Sequence, residues 1–173
     1  MTIWVVEDVS KHRQEAVEAI NLELQGEDIS IFTNSDIDWP AGQTLPRLEP
    51  PGERDFKSPK WLPDIVVLDL LRESDPDSNG KPPRSRRGAG VVQEEAFPGM
   101  LFYDRLREEE RNSEKKGKAY VIVYSQFRGL RRTEVFVEER RRRDRHFSGL
   151  DAKAPALLAL KVRQCWQKVK DGD

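Results

Sequence analysis

The sequence predicts an α/β protein of the doubly wound kind, a parallel sheet with helices on both faces. Three observations carry this. Short apolar runs at residues 3–6, 29–32, 65–71 and 120–124 are separated by amphipathic or polar stretches. The strongest of these runs are continuous rather than alternating, as in strands buried on both faces. Strand-like and helix-like segments succeed one another along the chain, the pattern of βαβ units.

The elements follow in order. Ile3-Trp4-Val5-Val6 ends in Glu7-Asp8 and reads as a buried strand. Ser10 is a candidate N-cap and Gly26 a candidate stop. Between them Ala16, Ile20 and Leu24 recur at helical spacing beside Val17. Ile29 to Thr33 is a second strand. From Asn34 to Pro63 periodicity is lost, and six of the eleven prolines lie there, which excludes a regular helix through most of the stretch. This is read as a long surface loop that Trp39 and Trp61 pin to the body. Asp64 to Leu71 is the strongest strand signal. Residues 72–99, with Gly80, Pro82, Pro83, Gly88 and Gly90, form a second irregular insertion. Met100 to Glu110 is a helix with Leu101, Phe102 and Leu106 on its apolar side. Lys115 to Lys118 is a polar turn, and Ala119 to Tyr124 a buried strand that ends at Ser125. Residues 130–143 are a very basic helix and 146–152 a last, weak strand. Pro155 opens a final helix whose stripe is Leu158, Val162, Cys165, Trp166 and Val169. Residues 1–173 are read as one domain, with loop insertions at about 34–63 and 72–99.

Composition limits the function classes. The chain has 173 residues and a net charge of −1, so bulk charge points to neither nucleic acid nor a membrane surface. A single cysteine excludes an internal disulfide framework and a Cys-rich zinc site, and suits a cytoplasmic setting. No apolar run reaches the about 18 residues that span a bilayer. The N-terminus has no basic region ahead of its first apolar run, so no signal peptide is expected.

In an open α/β sheet, ligands bind at the carboxyl ends of the strands. The first strand there ends in Glu7 and Asp8, the central one carries Asp69, the fourth ends in Ser125 and the fifth leads into Lys153. Clustered carboxylates repel one another unless a cation relieves them. A hard divalent ion such as Mg²⁺, which takes about six oxygens, does so. Asp is also a competent phosphoryl acceptor. Lys153 could then pair with the incoming charge and Ser125 could donate to a phosphoryl oxygen.

Val-Val-Glu-Asp around Glu7-Asp8, Val-Val-Leu-Asp-Leu around Asp69, Val-Ile-Val-Tyr-Ser up to Ser125 and Lys-Ala-Pro from Lys153 together resemble the four signature sites of response-regulator receiver domains. The resemblance spans nearly the whole chain. It implies a flavodoxin-like five-stranded parallel sheet of order 2-1-3-4-5. It also implies that Glu7, Asp8, Asp69 and the backbone carbonyl of Leu71 hold Mg²⁺. Asp69 would be the phosphoacceptor, Ser125 the switch hydroxyl and Lys153 the family lysine. A sensor histidine kinase or phosphotransfer protein would be the donor, an unnamed protein the downstream partner, and a phosphorylation-dependent dimer is allowed. The chain would be a signalling domain rather than an enzyme, standing alone or cut from a larger protein.

Four departures qualify the resemblance. Both insertions exceed the family's usual loops, and the first stands in place of its second helix. Leu150 occupies the position of the switch aromatic, Gln126 that of a small residue, and Ala154 separates Lys153 from Pro155. A phosphorylation-independent pseudo-receiver, a binding module on the same fold, is therefore the rival reading. An Asp-nucleophile phosphohydrolase is disfavoured because Leu71 stands where a second Asp is needed. Asp75 to Gly80 begins like a calcium loop but places Arg86 where the closing Glu belongs. Residues 128–145 hold eight arginines against four acids. They read as a solvated helix face or as a docking surface formed by Arg131, Arg132, Arg140, Arg141, Arg142 and Arg143, for an acidic protein before nucleic acid. His12 and His146 are too far apart in sequence to suggest a metal site, and Cys165 reads as core.

Overall fold

Strand β1 (Thr2–Val6) is followed by α1 (Ser10–Glu23), β2 (Ser30–Asn34), β3 (Ile65–Leu68), α2 (Pro98–Asn112), β4 (Tyr120–Tyr124), α3 (Arg131–Arg143), β5 (Phe147–Leu150) and α4 (Pro155–Asp171). The computed structural model describes residues 1–34, 62–70, 98–112, 117–125, 131–150 and 153–172. All strand pairings are parallel, as the sequence predicts, and the sheet order is β2-β1-β3-β4-β5, the flavodoxin-like arrangement that the resemblance implies. The chain reverses its winding direction between β1 and β3. The crevice of such a sheet opens at that point, beyond the carboxyl ends of the two strands.

The continuous apolar runs have the cause expected of them. Every residue of β3 and β4 is buried, as is β1 from Ile3 on. Alternate residues feed two separate core layers. Trp4, Val6, Val66, Leu68, Val121 and Val123 join Phe102, Tyr103, Leu106 and Val137 under α2 and α3. Ile3, Val5, Ile65, Val67 and Ile122 join Ala16, Ile20, Leu158, Val162, Cys165 and Trp166 under α1 and α4.

Several boundaries differ from the sequence reading. Ser10 is not the N-cap of α1; Val9 is, with no side-chain capping bond, and Ser10 is the first helical residue. Helix α2 begins two residues earlier than expected, at Pro98, because proline fits the first turn of a helix. Leu101 is 42% exposed, whereas Met100, Phe102, Tyr103, Leu106 and Glu110 face inward. Positions 102, 103, 106 and 110 repeat at helical spacing and leave 101 on the outer side. Strand β3 ends at Leu68, although the Asp69 N–H still donates to the Val6 carbonyl at 2.9 Å. Strand β5 is shorter than residues 146–152. The bulk of both insertions, with Trp39, Trp61, Leu71, the Asp75–Gly80 segment and Gln126, lies outside the described residues. Among the described residues, no helix is long and apolar enough to cross a membrane.

Candidate functional site

Val6 and Leu68 are register partners, so the next residues, Glu7 and Asp69, leave the sheet side by side. Asp8 follows at the entry to α1. Glu7, Asp8 and Asp69 each present a carboxylate oxygen within 4.8 Å of the others. Glu7 and Asp69 are both 1% exposed. Lys153, between β5 and α4, closes the group: its ammonium donates to Asp69 Oδ2 at 2.7 Å and to Glu7 Oε1 at 3.1 Å. Ser125 lies just past the end of β4 on the same sheet edge, fully buried. The structure thus brings together Glu7, Asp8, Asp69 and Lys153, and sets Ser125 at their edge.

Three carboxyls face one ammonium, and full ionisation of all three would leave a formal charge of −2, with Glu7 and Asp69 buried and Asp8 half-buried. The Arg13 guanidinium donates to the backbone carbonyls of Glu7 and Asp8 rather than to their carboxylates. Burial pushes the Glu7 carboxyl up to about 8 and the charge of Asp69 adds to this, while Lys153 and the Val9 N–H pull the other way. Burial disfavours the Lys153 ammonium, but the Asp69 and Glu7 carboxylates outweigh it and hold the lysine above its ordinary value. Glu7 Oε1 also accepts from the Val9 N–H at 3.2 Å, whereas Glu7 Oε2 is buried with no hydrogen-bond partner among the described residues. An orphaned carboxylate oxygen beside two further carboxylates fits a hard divalent cation. The Ser125 Oγ and the Tyr124 hydroxyl, buried at the same edge, also lack partners among the described residues. Burial, followed by the charges of Glu15 and Glu7, raises the Tyr124 phenol to about 12.

Three residues at the site escaped the sequence reading. His12 was set aside because it lies too far in sequence from His146 to suggest a metal site, yet its Nδ1 is 3.0 Å from Lys153 Nζ. The signal was its place four residues after Asp8, one turn along the helix from the acidic pair. Tyr124 was read only as strand core. Gly99, at the start of α2, packs on the backbone of Asp69: a β-carbon there would sit 2.1 Å from the Asp69 carbonyl oxygen. No local pattern announces that contact, because it joins segments 30 residues apart through an insertion.

The arginine-rich helix is more engaged than expected. Arg140 pairs with Asp104 at 2.9 Å and lies over the rings of Tyr103 and Phe136. Arg141 donates to the Gly149 carbonyl on the edge strand β5. Arg142 is close to Glu138, in the next turn, and Arg143 is exposed. The side chains of Arg131 and Arg132, and the Leu71 carbonyl, lie outside the described structure. No protein-family model matches the chain, and no curated protein matches it either.

Proposed function

We propose that this chain is a response-regulator receiver that accepts a phosphoryl group on Asp69 from a histidine kinase or phosphotransfer protein, with Mg²⁺ held by Glu7, Asp8 and Asp69. The observation that carries this reading is the convergence of those carboxylates with Lys153 at one buried sheet edge, where Glu7 Oε2 is left without a partner among the described residues. The resemblance adds the Leu71 carbonyl as a further ligand. A bound Mg²⁺ supplies the positive charge that lets an anionic donor approach this edge. Asp69 is the acceptor, and Lys153 meets the added charge of about −1.5 to −2. Ser125 offers its hydroxyl to a phosphoryl oxygen. The protein works in the cytoplasm as a signalling module, and its phosphorylation changes its affinity for a downstream protein.

The test is direct. The full chain is incubated with a small acyl phosphate and Mg²⁺, and its intact mass is measured. A gain of one phosphoryl group, lost in Asp69→Asn and on chelation, supports the proposal. An unchanged mass sinks it. One observation favours a second reading, a pseudo-receiver that binds partners without phosphate: Lys153 already gives Glu7 and Asp69 an internal cation. An unchanged mass together with an intact fold would favour that reading.

A further inference from the structure

Among the described residues, Lys153 Nζ has a close neighbour besides the Glu7 and Asp69 carboxylates, His12 Nδ1 at 3.0 Å. An ammonium carries three donors and no acceptor. The contact therefore makes lysine the donor and Nδ1 the acceptor, the arrangement of the tautomer with its proton on Nε2. Among the described residues the Lys153 ammonium meets Asp69 Oδ2, Glu7 Oε1 and His12 Nδ1, contributed by three different segments. The lysine side chain is 3% exposed, so water does not compete for these donors.

We propose that His12 is a positioning residue, the third anchor that holds the Lys153 ammonium at a fixed point between Glu7 and Asp69. The proposal rests on reading this site as a phosphoacceptor centre. Two acceptors fix two distances and leave the ammonium free to swing about the axis between them; a third acceptor removes that freedom. A neutral acceptor suits the position because a further acid would add to the repulsion among Glu7, Asp8 and Asp69. His12 is not placed as a cation ligand. Its Nδ1 lone pair is taken by the lysine, and it lies 3.9 Å from Glu7 Oε1. A phosphoryl group arriving on Asp69 would then meet a donor already aimed at the acceptor carboxylate, instead of one that must first be ordered.

The test has two arms. Nitrogen-15 NMR of the full chain reads the His12 tautomer with no phosphodonor present. Nδ1 is expected to be the unprotonated nitrogen, and its resonance should move in Lys153→Met. A proton on Nδ1, or no response to Lys153→Met, overturns the proposal. In the second arm the rate of phosphoryl gain from a small acyl phosphate is compared among variants. His12→Leu, which offers no acceptor, is expected to slow it on the order of 10- to 100-fold. His12→Asn, whose amide oxygen can replace Nδ1, should retain most of the rate. Equal slowing by both, or none by either, overturns the proposal. If the unaltered chain takes no phosphoryl group, the functional reading fails and the tautomer alone decides the role of His12.

Discussion

The two ends of the sheet carry polar networks of opposite character. At the amino edge, just before β4 and β5, Arg107 donates to Asp144 Oδ2 at 2.8 Å, to both Glu110 oxygens and to the Ala119 carbonyl. Tyr103 adds a bond to Asp144 Oδ2 at 2.7 Å, the His146 N–H one to Asp144 Oδ1, and the Ala119 N–H one to Glu110 Oε1. Every carboxylate oxygen named there has a donor. The buried side-chain atoms without a partner among the described residues are donors, Arg107 Nη2 and Arg140 Nε. At the carboxyl edge the leftovers are Glu7 Oε2 and the hydroxyls of Tyr124 and Ser125. One edge is a clamp that spends its carboxylates on the fold. The other keeps acceptor capacity in reserve, and only that one suits a cation. Helix α2 joins them, with Gly99 on the Asp69 backbone and Arg107 in the clamp.

Breaking the clamp should have the largest effect. Arg107→Met leaves two buried carboxylates, Glu110 and Asp144, without their cation, and should cost about 3–5 kcal/mol of stability by urea unfolding. Gly99→Ala strikes the other end of the same helix. Its β-carbon cannot fit 2.1 Å from a backbone oxygen, so α2 must move off Asp69 at a cost of about 1–3 kcal/mol. Mg²⁺ affinity, measured by calorimetry, should fall with it. Glu7→Gln should change stability in the opposite direction. It removes a carboxyl whose ionisation burial opposes, raised from 4.5 to about 8, while Lys153 keeps Asp69, so at neutral pH the metal-free protein should gain about 1–2 kcal/mol. Mg²⁺, which should raise the unfolding midpoint of the unaltered chain, should no longer do so in this variant. A loss of stability in Glu7→Gln comparable to that of Arg107→Met would erase the distinction between the two edges.

The smallest effect is a pH dependence confined to the clamp. Burial, followed by the charge of Arg145, lowers His146 below its ordinary 6.5. The folded imidazole is neutral where the unfolded one takes a proton. This contribution to stability is complete above pH 6.5 and is lost as pH falls below it. Asp144 is held low despite burial, by the Tyr103 hydroxyl and Arg107. Its contribution is present above about 3.8, its ordinary value, and is lost only as pH falls below that. His146→Phe should flatten the upper part of the acid limb in urea unfolding and leave the lower part unchanged.

How much of this was readable from the residues alone depends on range. The strands were, because burial on both faces imposes unbroken apolar runs such as Ile65–Leu68 and Tyr120–Tyr124. The acidic pair, Asp69 and Lys153 were, because each stands at the end of such a run or just ahead of the proline that opens α4. The phase of α2 was not: Leu101 looked as apolar as Phe102, and only the position of the sheet selects the inward side. The clamp was not, because Arg107, Glu110 and Asp144 look like ordinary surface charges until β4, β5 and α2 bring them together.

By itself the sequence determined the alternation of strands and helices, and which chemical groups end the strands. Both are local properties, set by hydrophobic period and by where each apolar run stops. The tertiary structure decided what those groups do to one another. It placed Glu7 beside Asp69 through the β1–β3 register, turned Lys153 inward onto both, and brought His12 within 3.0 Å of that lysine across 141 positions of chain. Hydrogen bonding and electrostatics act through space, so their balance at this edge exists only once the parallel sheet has been assembled.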